Sequence, residues 1–291
     1  MITFTHLGNY GRLGNQLFQY AVLRAISLER DYELKIPNPA HILHLNQRCQ
    51  LDQFNIKCDF LESKDVSTLK YRFIEPHHAT YYPQVFNIED NTDLLGYFQN
   101  YRYFSKYEKE IRDDFQLKQD LQEYAVDYLN NLKKDNEEIV SVHFRRGDNT
   151  DGTGGQINEY YGKDDVLSKE SVFGKYFFKA LEFFNEKKVK FLVFSGGSQK
   201  GMKHNQSDID WCRENLKSDK FLFCEGHTDM EDFAIMKNCD HNILSHSTSF
   251  GYWAALLNEN RNKFIVAPHN YTIPDDGRAQ QGFYPPTWRI I

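Results

Sequence analysis

The chain has 291 residues, 40% hydrophobic and 26% charged, enough to bury one large core or two modest ones. Its formal net charge of −6 argues against a nucleic-acid partner, because a phosphate backbone selects for a basic surface, so any basic site must be local. No apolar run approaches the roughly 20 residues that cross a bilayer, no leader precedes the first apolar segment, and the five cysteines form no C-x-x-C pair, a pattern that reads as a cytoplasmic chain with buried thiols and no zinc site.

Taken in chain order, Ile2–Thr5 has the character of a strand, a glycine-bearing turn follows, and residues 15–30 set Phe18, Val22, Ala25 and Ile26 on one helical face. The chain thus opens as β-turn-α. A weak strand at Glu33–Ile36, strands near Tyr71–Ile74 and Leu94–Phe98, and helices near Tyr103–Phe115 and Leu121–Leu132 complete a less regular first half. The hydrophilic run Lys133–Glu138 is the expected boundary, dividing the chain into domains 1–136 and 137–291, since charge clusters without apolar partners favour solvated connections.

From Ile139 onward short apolar runs alternate with amphipathic ones. Ile139–Phe144, Lys190–Ser195, Lys220–Cys224, His241–Ser245 and Lys263–Ala267 are expected strands; Ser171–Lys187, Asp208–Leu216, Asp229–Asn238 and Ser249–Asn258 are the helices between them. This alternation predicts an α/β chain with a parallel sheet wrapped by helices, and N-caps at Ser207 or Asp208 and at Thr228 or Asp229.

The strand at Ile139–Phe144 ends abruptly in Arg145-Arg146-Gly147-Asp148. Charges at the carboxyl end of a buried parallel strand stand where α/β proteins bind ligands, and two guanidinium groups suit a pyrophosphate because each donates paired hydrogen bonds and keeps its charge. The plainer alternatives are a solvated turn and, for His143, a hydrogen-bonded core residue. The opening turn, Gly8 to Asn15, carries G-x-x-G-x-x-G through Gly11 and Gly14, which lets backbone approach a ligand but matches neither the dinucleotide nor the nucleoside-triphosphatase pattern. Asp208-Ile209-Asp210 has the spacing of a cation pair on a diphosphate, yet it stands at an expected helix start, where acidic residues simply complement the helix dipole.

Gly11-Arg12-Leu13-Gly14-Asn15-Gln16 with the residues that follow to Ala21, together with His143-Phe144-Arg145-Arg146-Gly147-Asp148, resembles glycosyltransferase family 11, the α-1,2-fucosyltransferases. Gly96-Tyr97-Phe98-Gln99-Asn100 through Phe104, Asp229 through Ala255, and the tail Tyr284-Pro285-Pro286-Thr287-Trp288 extend the resemblance, in order, over nearly the whole chain. It implies a GT-B fold: two Rossmann-like domains with a cleft between them, 1–136 on the acceptor side and 137–291 binding the GDP-sugar. The implied activity is an inverting, metal-independent transfer of L-fucose from GDP-β-L-fucose to a hydroxyl of an acceptor glycan, with no cofactor beyond the donor substrate. A glycan carried on a lipid is one such acceptor, which would bring the enzyme to a membrane surface peripherally.

By motif position, the resemblance implies that His143 and Arg145 hold the nucleotide and its pyrophosphate, with Gly11 and Gly14 in the opening turn. Arg146 would either join them or pair internally with carboxylates. Ser195, ending the next strand, and Ser247-Thr248-Ser249-Phe250, opening a helix, are placed with the nucleotide contacts. Arg145 is the implied catalytic cation; Asp148, the nearest carboxylate, and Asn15, a sugar-contacting amide, are the candidates for orienting or deprotonating the acceptor. The chain departs from the family at Gly196-Gly197, where two acidic residues are usual. A GT-B transferase using another nucleotide sugar or linkage is the alternative that this departure leaves, and a non-catalytic sugar- or nucleotide-binding protein a further one.

Overall fold

The computed structural model describes residues 1–44, 47–78, 80–134, 137–147, 166–196, 206–272 and 275–291. They form two compact units: Met1–Lys118 with Gly277–Pro286, and Gln119–Asp276 with Thr287–Ile291. The expected boundary at 136/137 is therefore corrected to 118/119, and the tail is shared. The cause is visible around the hydrophilic run. The helix Gln119–Leu132 packs on the helix Asp229–Asn238 through Gln122 Nε2 donating to Asn238 Oδ1 at 2.6 Å, and Lys133, expected in a linker, pairs with Asp240 at 2.7 Å.

The first unit contains β1 (Ile2–Thr3), α1 (Leu13–Arg30), β2 (Lys35–Ile36), β3 (Leu43–His44), β4 (Gln47–Arg48), β5 (Asp59–Phe60), α2 (Ser63–Val66), β6 (Tyr71–Ile74), β7 (Thr92–Leu95) and α3 (Glu108–Asp114). Its main sheet is parallel, in the order β1-β7-β6, with Ile2 opposite Thr92 and Tyr71 also opposite Thr92. α1 is buried on more than the single face its periodicity predicts: Leu13, Leu17, Phe18, Tyr20, Ala21, Val22, Leu23, Ala25 and Ile26 are all buried. A helix apolar nearly all round is a central helix. Strand β7 stops at Leu95 rather than running to Phe98, because Gly96 and Phe98 take positive φ of 159° and 50° and turn the chain out of the sheet. The expected helix at Tyr103–Phe115 is two 3-10 turns followed by the short α3.

The second unit holds α4 (Gln119–Leu132), β8 (Glu138–Phe144), α5 (Val172–Glu182), β9 (Val189–Ser195), α6 (Gln206–Asn215), β10 (Phe221–Phe223), α7 (Asp229–Asn238), β11 (His241–Ile243), α8 (Ser249–Leu257), β12 (Ile265–Ala267) and β13 (Arg289–Ile290). Its sheet is parallel throughout in the order β10-β9-β8-β11-β12-β13. Successive strands therefore run outward from β8 in one direction, and from β11 in the other. That is the doubly wound order, and the reversal between β8 and β11 is its topological switch point.

Alternation along β8 decides what faces what. Val140, Val142 and Phe144 enter a core with Phe173 and Phe177 of α5 and Ile209 and Cys212 of α6, with Phe144 and Phe177 ring centroids 5.1 Å apart. His143 turns to the other face, toward α8. α6 begins at Gln206, so Ser207 and Asp208 lie inside its first turn and are not its caps; Thr228 is the cap of α7, in a capping box with Glu231. Four of the five cysteines are buried, and Cys58 is half-buried, a correction to the expectation that all would be.

Candidate active site

The candidate residues of the second unit gather at the carboxyl ends of β8 and β11. Ser247 takes a left-handed φ of 54°, its amide donating to the Tyr271 carbonyl at 2.7 Å, and this sharp turn delivers the chain into α8. Thr248 caps α8, its hydroxyl accepting from the Gly251 amide at 3.0 Å, and the same oxygen lies 2.8 Å from His143 Nδ1. The Phe250 ring stands 5.8 Å from the imidazole. A side chain at residue 251 would also crowd this corner, since a Cβ there would come 3.2 Å from His143 Nδ1. The fold thus fixes the imidazole between a hydroxyl, a ring and a helix start whose amide dipoles favour an anion.

The two arginines part company. Arg146 Nε meets Asp208 Oδ1 at 3.3 Å, and its guanidinium lies 3.8 Å from the Trp211 ring centroid, while the Gly147 amide donates to Asp208 Oδ2 at 3.0 Å. α6 therefore clamps the loop after β8 by a carboxylate and an indole on one helical face. Burial raises the Asp208 carboxyl against the pull of Arg146 and the Gly147 amide, which lower it. Asp210 instead pairs with Arg213 at 2.7 Å, so the two carboxylates of the Asp208-Ile209-Asp210 pattern have separate partners. Among the described residues no group of three or more His, Cys, Asp or Glu could hold a metal ion. Arg145 is half-buried at the end of β8, with Nη1 donating to the carbonyls of Arg146 at 3.0 Å and Gly196 at 3.4 Å.

Ser195 is buried, and its hydroxyl donates to the Phe144 carbonyl at 3.1 Å, which ties the end of β9 to the end of β8. Its geometry is that of a strut between neighbouring strand ends. Ser249 lies in the first turn of α8. Asp148 and Gly197 lie outside the described residues.

Gly11, Gly14 and Asn15 stand in the first unit, at the carboxyl end of β1. Gly11 has φ 97°, and a Cβ on it would fall 2.2 Å from Asn15 Nδ2, so only glycine fits there. Gly14 is buried in the first turn of α1. Asn15 Oδ1 accepts from Gln99 Nε2 at 2.6 Å, and Gln99 Oε1 accepts in turn from Arg278 Nη1. Gln19 Nε2 joins the opening turn to the end of β7 by donating to the Tyr10 carbonyl at 2.8 Å and the Gly96 carbonyl at 3.3 Å, and Tyr10 and Tyr97 stack at 4.6 Å. Sequence reading missed Asp208 and Trp211 as partners of Arg146, and Gln99, Arg278 and Glu75 in the first unit. Only Gln99 carried a signal, through its place in the Gly96–Phe104 block. A separate hollow of about 750 Å³ in the first unit is lined by Thr5, His41, Tyr71, Arg72 and Asp93 among others, and contains none of the candidates.

The family model of Glycosyl transferase family 11 matches residues 2–291. An alpha-1,2-colitosyltransferase of Escherichia coli is 27% identical over 286 residues, 89% of this chain and 89% of that relative. Galactoside alpha-(1,2)-fucosyltransferase 1 of Aotus azarae is 27% identical over 277 residues, 91% of this chain and 67% of the relative. Among solved structures, the alpha-1,6-fucosyltransferase NodZ soaked with GDP-fucose superposes with a TM-score of 0.52 at 14% identity, covering 88% of this chain and 92% of that one, a likeness of fold.

Proposed function

Because this chain belongs to glycosyltransferase family 11, we propose that it moves L-fucose from GDP-β-L-fucose to a galactoside hydroxyl of an acceptor glycan, forming an α-1,2 linkage with inversion. The reading includes the GT-B assignment of roles, donor on the second unit and acceptor on the first. The observation that carries it is His143 held by the Thr248-capped start of α8, with Arg145 following at the end of β8, at the switch point of a doubly wound sheet. That is where such sheets bind nucleotides, and every donor group there suits a diphosphate.

As the bond between the sugar and the β-phosphate breaks, negative charge grows on the phosphate and the ring gains oxocarbenium character. A fixed cation binds the developing charge more strongly than the ground state and so lowers the barrier. Arg145 takes this role. Arg146 serves it indirectly: held by Asp208 and Trp211, it fixes the backbone beside Arg145, so that less reorganisation is needed as the charge appears. His143, its Nδ1 engaged with Thr248, presents its other nitrogen in a fixed orientation toward the nucleotide.

A second reading is favoured by the colitosyltransferase relative and by Gly196 in place of an acidic residue: the donor is GDP-colitose, whose sugar is fucose without the 3-hydroxyl. A site built to hydrogen-bond that hydroxyl would reject the deoxy sugar strongly, whereas an apolar one would discriminate weakly. Calorimetry of GDP and UDP, followed by competition of GDP-fucose with GDP-colitose over galactoside acceptors, tests both. GDP binding without UDP binding, and turnover of GDP-fucose that survives EDTA, are expected. Preference for UDP, or loss of turnover on chelation with rescue by Mn²⁺, would overturn the assignment.

A further inference from the structure

The first unit buries four carboxylates, Asp65, Glu75, Asp93 and Asp114. Three are neutralised by a cation: Asp65 by Lys35 at 3.0 Å, Asp93 by Arg72 at 2.8 Å and Asp114 by Arg24 at 2.8 Å. Glu75 alone, among the described residues, has no ion pair. It stands one residue beyond β6, at the carboxyl edge of the parallel sheet, where α/β units take their ligands. The turn after β7 holds it: Oε2 accepts from the Tyr97 amide at 2.7 Å and the Phe98 amide at 3.0 Å, and Oε1, among the described residues, accepts only from that same Phe98 amide, at 3.1 Å.

That arrangement fixes the carboxylate without neutralising it. Oε2 has both lone pairs occupied, whereas Oε1 keeps one. The same edge carries the Tyr10–Tyr97 stack and the Asn15–Gln99–Arg278 chain, so the opening turn, the ends of β6 and β7 and the returning tail all converge on it. Gly96 is required by this closeness, since a Cβ there would stand 2.4 Å from the Glu75 Cβ.

We propose that Glu75 is the general base of the transfer, taking the proton of the acceptor hydroxyl on Oε1. The proposal rests on the transferase reading above and on the acceptor being bound by the first unit. The hydroxyl oxygen bonds to the anomeric carbon, its proton passes to Glu75, the bond from that carbon to the β-phosphate oxygen breaks, and the electron pair leaves with GDP. Glu75 then returns the proton to solvent. Burial lifts its carboxyl to about 7, with the two amides and Arg278 pulling the other way, so it exchanges a proton near neutrality, as a base in such a step must. The charged and titratable groups that act on it are Arg278 from the tail, Tyr97 beyond β7 and Tyr103 in the first 3-10 turn, with the His77–His78 pair following it in the chain.

The test is the pH profile of kcat for wild type, Glu75→Gln, Glu75→Asp, Arg278→Gln and Asp148→Asn, with GDP affinity measured for each. Expected is a fall in kcat of about 10²–10⁴-fold for Glu75→Gln, with KM for the donor and affinity for GDP unchanged and the acidic limb near neutrality abolished. Arg278→Gln should move that limb upward, because it removes a cation that favours the carboxylate, and Glu75→Asp should keep the limb at reduced rate. A pinning role for the Gly96–Phe98 turn alone would shift stability in all three Glu75 and Arg278 variants and leave the limb in place. An unchanged limb in Arg278→Gln, a wild-type rate in Glu75→Asp, or loss of the limb in Asp148→Asn instead, would overturn the proposal even should Glu75→Gln fail to fold. Wild type that neither binds GDP nor releases it from GDP-fucose would sink the transferase reading and the base with it.

Discussion

The two units solve the problem of placing polar groups at strand ends in different ways. In the second, seven-residue strands β8 and β9 give a deep parallel sheet, the strand order itself creates the switch point, and the strand ends there are joined by the Arg146–Asp208 clamp, the Ser195–Phe144 bond and the Thr248 cap. In the first, the main-sheet strands are two to four residues long, and position is held by side-chain amides: Gln16 to the Gly11 carbonyl, Gln19 to Tyr10 and Gly96, Gln99 to Asn15. Long strands locate a ligand site by topology, and short ones require a polar scaffold around it. The contrast predicts that damage to the second unit is read first as lost packing or lost charge, and damage to the first as lost alignment.

The largest expected effect is on packing. Phe177→Ala removes a fully buried ring that meets Phe144 at 5.1 Å and Phe173 at 6.0 Å, and should destabilise the second unit by about 3–5 kcal/mol. Urea unfolding with GDP binding as the reporter checks this; equal destabilisation of a probe in the first unit would blur the division between the two.

Arg145→Ala should lower kcat by about 10²–10³-fold with the far-UV spectrum unchanged, the cost of one missing charge donor. Arg146→Ala should act otherwise, because it leaves Asp208 buried without its cation: unfolding at lower urea accompanies any loss of rate. If Arg145→Ala and Arg146→Ala proved alike in both rate and stability, the separate roles given to them would be wrong.

Gly11→Ala probes alignment. The left-handed φ of 97° and the Cβ clash with Asn15 Nδ2 should cost on the order of 1–3 kcal/mol, and turnover should fall while GDP affinity stays at the wild-type value. Weakened GDP binding in this variant would show that the opening turn serves the donor.

The subtlest effect is a difference of sign with pH. Glu75, lifted by burial from 4.5 to about 7, binds its proton more readily in the folded chain; its contribution is full below the ordinary glutamate value and is lost as pH rises towards 7. His246, pushed by burial from 6.5 to about 3, is held neutral; its contribution is full above the ordinary histidine value and is lost as pH falls towards 3. Between about pH 4.5 and 6.5 the two units therefore respond oppositely, each by at most about 1.4 kcal/mol per pH unit. Stability curves of Glu75→Gln and His246→Phe, taken as differences from wild type, should slope in opposite directions across that range; parallel slopes would refute the assignment of one or both groups.

Much of this was legible in the residues. The parallel α/β second half follows from its alternation, because apolar runs of strand length separated by amphipathic ones have few other ways to bury both faces. The bounds of α7, Asp229–Asn238, were readable to the residue, and the structure settles its cap on Thr228 rather than Asp229. Asp208, by contrast, reads from local sequence as a cap or half of a cation pair, and only its distance to Arg146 and Gly147 reveals a clamp. The hydrophilic run near 135 reads as a linker because its charges lack local partners, yet Lys133 finds Asp240 more than 100 positions away.

By itself, then, the sequence determined the class of fold, the strand end where His143, Arg145 and Arg146 stand, and the glycine turn that holds Asn15, since periodicity, glycine and clustered charge are local properties of a chain. Only the tertiary structure decided that Arg146 is tied to Asp208 and Trp211 while Arg145 donates to the carbonyls of Arg146 and Gly196, that Thr248 steadies His143, that the tail returns Arg278 to the first unit, and that Glu75 is buried with no ion pair among the described residues. Each of these depends on which distant side chain arrives as a neighbour, and burial and pairing are set by neighbours in space rather than in sequence.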